Sequence, residues 1–250
     1  MKNLFTGVLT LMTMGFTFAQ ANSDTSTQNG NSNIGNVNQT GLLNTNVLLQ
    51  TGDSNVANID QVGLFNGNQA TSTGDNNSID VEQSGIGNMN ETEQIGDGNS
   101  ASTWQLGADN DVWQYQVGDD NVASAQQLGV SNSIEQLQSG DGNEATALQA
   151  GSGNYIGQGQ WGDGNSAFHA QGGSDNAALS LQYGSDNETE GLQIGEGNVL
   201  LQYQDGTNNS AMNTQLGDSN FANITQEGSS HSHVGMQNGS SNSLVVNQSN

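Results

Sequence analysis

Glycine recurs at every eleventh residue from Gly30 to Gly239, which gives 20 glycines in one unbroken register. Gln stands two residues before each of these glycines, from Gln28 to Gln237, except at Ser72, and Asn stands three residues after each, from Asn33 to Asn242, except at His231. Glycines scattered at their overall frequency would fall into this register with a probability on the order of 10⁻¹⁷, so the spacing is structural. The unit Q-x-G-x-x-N-x-Φ-x-x-x, where Φ is often apolar, predicts a repeat fold.

Each unit is typical of one short strand and one turn. The segment G-x-x-N is filled mostly by Gly, Asp, Ser and Asn, which tolerate positive φ or hydrogen-bond their own backbone. From the Asn to the next Gln is six positions, an even number, so both side chains project from the same face of an extended segment. In residues 110–116 the even-numbered positions share that face, and the odd-numbered positions point the other way.

A second period, twice as long as the first, separates alternate units by the size of the apolar residue at Φ. One set has large residues and the interleaved set has Ala: Val112, Ile134, Ile156 and Leu200 against Ala101, Ala123, Ala145, Ala167 and Ala211. Two strands that fold back on each other and interdigitate need large side chains facing small ones. We therefore predict an all-β, cross-β or amyloid-like β-solenoid of about ten stacked layers, each a strand-turn-strand-turn of 22 residues with two 11-residue repeats.

An interior with Asn and Gln on every strand is stable only if these amides bond one another, because a buried amide without partners costs roughly 1 to 3 kcal/mol. Layers stacked about 4.8 Å apart would let identical amides form ladders, each donating to one neighbour and accepting from the other. A slip of one residue would turn every amide out to solvent, so the register is fixed. The absence of Pro fits this, since each Pro would remove a ladder hydrogen bond.

We assign the repeated residues three structural roles. The predicted Gln ladder comprises Gln28, Gln39, Gln50, Gln61, Gln83, Gln94, Gln105, Gln116, Gln127, Gln138, Gln149, Gln160, Gln171, Gln182, Gln193, Gln204, Gln215, Gln226 and Gln237. The predicted Asn ladder comprises Asn33, Asn44, Asn55, Asn66, Asn77, Asn88, Asn99, Asn110, Asn121, Asn132, Asn143, Asn154, Asn165, Asn176, Asn187, Asn198, Asn209, Asn220 and Asn242. The predicted turn glycines are Gly41, Gly52, Gly63, Gly74, Gly85, Gly96, Gly107, Gly118, Gly129, Gly140, Gly151, Gly162, Gly173, Gly184, Gly195, Gly206, Gly217, Gly228 and Gly239.

The two ends of the repeat array carry no atypical capping unit. The first unit keeps its Gln, Gly and Asn, and so does the last. Natural solenoids normally finish in capping repeats, because an uncovered strand edge recruits another chain. Matching open ends predict a head-to-tail contact that does not close and propagates as a fibre.

The beginning of the chain, as far as Ala21, has the pattern of a secretory signal peptide. Lys2 is followed by the apolar stretch from Leu4 to Phe18 and by the small-residue site Ala19-Gln20-Ala21. The stretch is too short to span a bilayer, so we expect export without membrane insertion. The alternative is a buried N-terminal helix. The expected organisation is a signal peptide at 1–21, a short N-terminal tail at 22–27 and the repeat domain at 28–250.

Composition excludes several functions. Lys2 is the only Lys or Arg against 25 acidic residues, and the formal net charge is −24, so phosphate or nucleic-acid binding through basic side chains is excluded. Without Cys there is no disulfide, thiolate metal site or cysteine nucleophile. No residues depart from the repeat to build a catalytic triad, so we predict neither an enzyme nor a cofactor.

Twelve acids occupy the two variable positions of the turns: Asp53, Asp75, Asp97, Asp109, Asp119, Asp120, Asp141, Asp163, Asp175, Asp186, Glu196 and Asp218. Rows of carboxylates at layer spacing could bind Ca²⁺, which takes several oxygen ligands, and Gly-Asp-Gly-Asn resembles calcium-binding repeat toxins. Those repeats have a nine-residue period, whereas this chain keeps eleven. We favour turn chemistry together with negative charge that keeps monomers apart.

Two smaller groups have both a functional and a structural interpretation. His231 and His233 could offer two imidazoles to a metal, but a third ligand is missing, and His169 stands alone elsewhere in the sequence. A degenerate repeat unit explains His231 and His233 better. The expected outward aromatic residues could form a carbohydrate platform, although lateral fibre contacts are favoured: Trp104, Trp113, Tyr115, Trp161 and Tyr203.

The segment Gln94-Ile-Gly96-Asp-Gly-Asn99-Ser-Ala101-Ser-Thr-Trp-Gln105 resembles the repeat of curlins, the subunits of the curli amyloid fibres of bacterial biofilms. The resemblance extends over all twenty units, from Gln28 to Asn247. It implies a secreted subunit that polymerises with itself at the surface of a Gram-negative bacterium and serves matrix formation, adhesion and cell aggregation. It also implies periplasmic chaperones, an outer-membrane secretion channel and a nucleator subunit as partners.

Two features depart from the curlin pattern. The chain has more units than the best-known curlins, and only the segment 22–27 precedes the repeats, where curlins carry a longer secretion-directing segment. The first units are weaker, with Gly35, Asn46 and Asn68 at Φ, so either these units direct export or export differs. The alternatives are the minor nucleator of the same fibre, a soluble calcium-binding adhesin stalk and an ice-binding solenoid, the last disfavoured because outward Thr is sporadic.

Overall fold

Strands occupy most of residues 21–250, the part of the chain that the computed structural model describes. The predicted signal peptide at 1–21 lies almost wholly outside the described residues. The strands are β1 (Ser23–Asn29), β2 (Ile34–Leu42), β3 (Thr45–Thr51), β4 (Val56–Leu64), β5 (Gly67–Thr73), β6 (Ser78–Ile86), β7 (Met89–Ile95), β8 (Ser100–Ala108), β9 (Asp111–Val117), β10 (Val122–Val130), β11 (Ser133–Ser139), β12 (Glu144–Ser152), β13 (Tyr155–Trp161), β14 (Ser166–Ser174), β15 (Ala177–Ser185), β16 (Glu188–Glu196), β17 (Val199–Thr207), β18 (Ser210–Leu216), β19 (Phe221–Ser229), β20 (Ser232–Asn238) and β21 (Ser243–Ser249). Over this range there is no helix long and apolar enough to cross a membrane.

The strands form two parallel sheets that face each other. The odd-numbered strands make an 11-stranded sheet and the even-numbered strands a 10-stranded sheet, each in sequence order. Neighbouring strands pair with an offset of two repeats, so that Gln116 lies beside Gln138 and Gly129 beside Gly151. The predicted all-β solenoid of about ten layers is therefore confirmed. A layer is one odd strand and the even strand that follows it.

Two residues in each turn have positive φ. The repeated glycines have φ between 105° and 135°, and the residue two positions later has φ between 53° and 72°. A Cβ on Gly118 would collide with the carbonyl oxygen of Gly140 in the next layer, so this position requires glycine for space as well as for conformation. The turns thus stack as closely as the strands.

Alternation along each strand buries one face and exposes the other. The interior contains two apolar clusters, one around Leu48, Ile59 and Ile79, and one that extends from Val112 to Ile224. Large residues of odd strands, such as Val112 and Ile134, share the second cluster with Ala125 and Ala147 of even strands. The Ala at Φ that the sequence placed opposite them are also buried, but only Ala211 belongs to this cluster. Apolar packing therefore stabilises the early layers and the later layers of a stack whose interior also holds many amides.

Residues 22–27 do not form the separate tail that the sequence suggested. Ser23–Asn29 form β1, which pairs with β3 in the same register as every other odd strand. The reason is that Asn22 and Gln28 occupy the Asn and Gln positions of a unit, and the backbone of Asn44 donates to the Asn22 side chain. Each sheet ends in a strand with one partner: β1 and β21 in the odd sheet, β2 and β20 in the even sheet.

Candidate functional site

The repeated Gln side chains hydrogen-bond from layer to layer. Nε2 of Gln116 donates to Oε1 of Gln138 at 2.9 Å, and Gln138 donates in the same way to Gln160 at 2.9 Å. The second N–H of Gln116 reaches the carbonyl of Ser100 in the opposite sheet at 3.1 Å. Both amide N–H groups therefore have partners although the side chain is fully buried.

The Gln ladders extend over most of the stack in both sheets. In the even sheet the chain of bonds is unbroken from Gln39 to Gln237. In the odd sheet it is unbroken from Gln94 to Gln248, and Ser72 replaces Gln in the layer before. All the assigned ladder Gln from Gln50 to Gln237 are buried, whereas Gln28 is exposed at the edge.

The repeated Asn side chains join the strands to the turns. Oδ1 of Asn99 accepts from the backbone N–H and from Nδ2 of Asn121, at 3.0 and 3.1 Å. Nδ2 of Asn121 also donates to the carbonyl of Gly140 at 2.7 Å. The assigned ladder Asn from Asn44 to Asn220 are buried. They repeat this arrangement, except that Nδ2 of Asn55 and Nδ2 of Asn77 donate only to the turn carbonyl. Each Asn therefore holds the turn glycine of the adjacent layer in place.

The structure also contains shorter amide ladders that the sequence analysis did not assign. Asn46 donates to Asp24 at 2.6 Å, Asn68 to Asn46 at 2.7 Å, and Asn90 to Asn68 at 2.7 Å, all at Φ in odd strands. The weaker first units are thus bonded by their own column of polar side chains. A search for polar residues that recur in every second unit would have found this column.

A third Gln column includes a histidine. Gln114 donates to Gln136 and Gln136 to Gln158, but Ser180 occupies the next position. His169, from the opposite sheet, spans the break: its Nδ1 accepts from Gln158 at 3.1 Å and its Nε2 donates to Oε1 of Gln202 at 2.8 Å. The ring is fully buried, and this desolvation lowers its pKa from 6.5 to about 4.

Six of the twelve turn acids form one column along a single margin of the stack. In this column Oδ1 of each Asp accepts the backbone N–H of the turn one layer earlier, as Asp119 does from Asp97 at 2.8 Å. The members are Asp53, Asp75, Asp97, Asp119, Asp141 and Asp163. Four others have left-handed φ: Asp109, Asp120, Asp175 and Asp186. Glu196 donates its backbone N–H to Asp218 on the other margin. These carboxylates do not gather into a metal site: residues 21–250 hold no group of three or more His, Cys, Asp or Glu arranged for a metal ion.

The two margins differ in character. The turns that follow odd strands carry the Asp column, which is exposed. The first turns that follow even strands carry large apolar residues, with Leu43 45%, Phe65 56% and Ile86 51% exposed. A cross-section through the early layers is therefore acidic on one side and apolar on the other.

His231 and His233 lie near the last layers. His231 takes an Asn position, where its backbone N–H donates to Asn209 at 3.0 Å and its Nε2 lies 3.0 Å from the carbonyl oxygen of Glu227. His233 faces inward at Φ, and burial lowers its pKa. Its Nε2 and the amide of Asn213 are buried without a hydrogen-bond partner among the described residues.

The outer faces carry the aromatic residues. Trp161 stacks on Tyr183 with ring centres 4.6 Å apart, and Tyr203 continues the row 5.8 Å further on. Trp113 and Tyr115 stack on the same sheet at 6.1 Å. Trp104 lies on the opposite face, beside an apolar hollow of about 370 Å³ lined by Leu128, Leu148, Ala150, Leu192 and Ile194, among others.

The ladders stop at strands that have one neighbour. At one edge the donors of Gln237 and Gln248 reach backbone carbonyls at 2.9 and 3.1 Å, with no further Gln in the described residues. At the other edge Gln28 donates to Gln50 and stands first in its column. Each edge therefore presents the groups that the opposite edge lacks, which is a complementary surface for another copy.

The family model described as curlin associated repeat matches residues 203–228 and 217–249. These matches cover the last units of the array, and the same spacing of Gln, Gly and Asn continues without interruption back to Gln28. No curated protein matches the chain. The resemblance to curlins is confirmed by this match.

Proposed function

We propose that this chain, which carries the curlin associated repeat, is a secreted structural subunit that polymerises head-to-tail into extracellular curli-type amyloid fibres. The observation that supports the proposal most is that both sheets end in open strands whose ladders are in register with those of the opposite edge. The curlin repeat and the solenoid fold are those of structural proteins, and we propose no catalytic activity and no cofactor.

The proposed roles of the repeated residues follow from their contacts. Buried Gln and Asn ladders fix the register between layers, and turn glycines allow the layers to approach closely. Across a junction between two copies the same residues would form the same bonds. The first partner is therefore another copy of this chain.

Family resemblance supports the cellular context. We propose a fibre at the surface of a Gram-negative bacterium, with a role in biofilm matrix, adhesion and cell aggregation. A nucleator subunit, an outer-membrane secretion channel and periplasmic chaperones are the proposed partners. A role as the nucleator of the same fibre and a role as a calcium-stiffened stalk are the competing functions.

Incubation of the purified chain without its signal peptide tests the polymer. We expect Thioflavin-T-positive fibres with a reflection near 4.8 Å, with or without calcium. A product that stays monomeric when calcium is supplied would favour the stalk and refute the polymer. Seeding of a curlin by substoichiometric amounts of this chain, without fibres of its own, would favour the nucleator.

Two adjacent glutamines provide a matched test of the ladder. Gln127 is fully buried and bonded to the ladder on both sides, whereas Gln126 on the same strand is exposed. Gln127→Lys would bury a charge, so we expect fibre formation to slow roughly tenfold or more, corresponding to at least about 1.4 kcal/mol. Gln126→Lys makes the same change facing water and is expected to alter the rate little. Equal effects of the two variants would contradict the proposed role of the ladder.

A further inference from the structure

The described residues supply unequal numbers of strands to the two sheets. Ten complete layers end at β20, and β21 adds one more strand to the odd sheet, which gives eleven odd strands against ten even strands. A second copy that continues both sheets must place its β2 on β20, level with β21. Strand β3 of the second copy then pairs with β21 of the first. In that pairing β21 takes the place that β1 of the second copy occupies in its own chain. Strand β1 of one copy and β21 of another therefore compete for the same site.

We infer that β1 is a displaceable cap on β3, and that head-to-tail growth exchanges it for β21 of a second copy. The inference rests on the proposed polymerisation and specifies its junction. If β1 stayed in place, β20 and the next β2 would be two strand spacings apart, about 9.6 Å, and neither could pair. The exchange lets both sheets continue.

The inward side chains favour β21 over β1 at this site. In β1 the residues beside Asn46 and Leu48 are Asp24 and Ser26, and every residue of the strand is exposed. By the same offset of two repeats, the corresponding residues of β21 are Leu244 and Val246, which pack against the apolar cluster of their own chain. The exchange places Val246 beside Leu48 in place of Ser26, and this burial of apolar surface is set against the hydrogen bond from Asn46 to Asp24, which is lost.

The even strands at this junction are also complementary. With β20 placed on β2 by the same offset, His233 lies opposite Gly35, and Gly235 lies opposite Val37. Large residues thus meet glycines at both positions. Within the stack His169 lies beside Gly191 in the same way. The displaced segment, Ser-Asp-Thr-Ser-Thr-Gln-Asn, has no large apolar residue and is compatible with exposure to water.

Single-cysteine chains distinguish the two junctions, because the chain has no Cys of its own. Val245→Cys is mixed with Val47→Cys or with Thr25→Cys, fibres are grown under reducing conditions, and the fibres are then oxidised. We expect disulfide-linked dimers from Val245→Cys with Val47→Cys, since these positions would be neighbours about 4.8 Å apart. Dimers from Val245→Cys with Thr25→Cys instead would overturn the exchange. Each variant alone controls for lateral contacts.

A reversible lock tests whether exchange limits growth. Thr25→Cys with Val47→Cys joins β1 to β3 through outward positions that face each other. We expect the oxidised chain to elongate at least tenfold more slowly than the reduced chain. Ser102→Cys with Ser124→Cys is the control inside the stack, where the two hydroxyls lie 3.2 Å apart, and oxidation should leave its rate unchanged. If the oxidised lock elongates as fast as the reduced form, the exchange is refuted. Absence of fibres from the native chain would refute the polymer itself.

Discussion

Protonation of His169 is expected to destabilise the folded chain at mildly acidic pH. The neutral ring accepts from Gln158 and donates to Gln202, so an added proton would place two donors against each other at Nδ1. The folded-state pKa is about 4 and the ordinary value is 6.5. Above pH 6.5 both folded and unfolded chains are neutral at this ring. Between pH 6.5 and 4 the unfolded chain binds the proton first, so stability falls as pH falls.

The expected loss is about 3 kcal/mol, from a pKa difference of roughly 2.5 units at 1.36 kcal/mol each. The residues beside His169 in its own sheet are Ala147 and Gly191, which do not ionise. Acids elsewhere in the chain also titrate in this range. The variant His169→Gln has the same acids and therefore isolates the contribution of the ring.

Urea denaturation of the monomeric chain at pH 7.5 and pH 4, for both proteins, measures this contribution. We expect the stability of the native chain relative to His169→Gln to fall by about 3 kcal/mol between the two values. An imidazole NMR titration of His169 gives its pKa directly. A His169 resonance that titrates near 6.5, or a stability difference that does not change with pH, would refute the reasoning.

Three further predictions concern the turns, the interior and the charge. Gly140→Ala should destabilise the fold by several kcal/mol because its Cβ would meet the carbonyl oxygen of Gly162, whereas Gly142→Ala, with φ 66° and open space, should cost about 1 kcal/mol in thermal or urea unfolding. Asn213→Leu should stabilise the chain by about 1 kcal/mol because the amide has no partner among the described residues, whereas the same change at bonded Asn209 should destabilise it. Raising NaCl from low to physiological concentration should shorten the lag of fibre formation, since salt screens repulsion between chains that each carry 25 acidic residues. An unchanged lag would contradict the role of charge.

The layered fold could be predicted because the sequence has two periods, the 11-residue repeat and a second period of two repeats. Even spacing between Asn and Gln sets which face is inward, and the alternation of residues such as Ile134 and Ala145 at Φ indicates that two strands make a layer. These relations recur along the array, with exceptions such as Ser72 and His231, and need no knowledge of the tertiary structure. The same reasoning placed all twelve turn acids in one class, but their separation into two margins appears only when every second turn is followed along the chain.

Other features depend on coincidences between particular layers. The role of His169 requires Ser180 in the facing sheet and Gly191 in the next strand of its own sheet. The repeat pattern does not predict that these three residues occur in neighbouring layers. The segment before the repeats was separated because the register of Gln, Gly and Asn was counted from Gln28. Pairing with β3 depends instead on its backbone and on the amides of Asn22 and Gln28.

The difference between the margins determines how an array of this kind can change length. Deletion of two consecutive repeats removes one whole layer and leaves every later strand in its own sheet. Deletion of a single repeat would exchange the sheets for all later strands. The layer at the deletion would pair two like residues at Φ, and the later members of the Asp column would move to the side where Leu43 and Phe65 lie. We therefore expect such an array to gain or lose repeats two at a time.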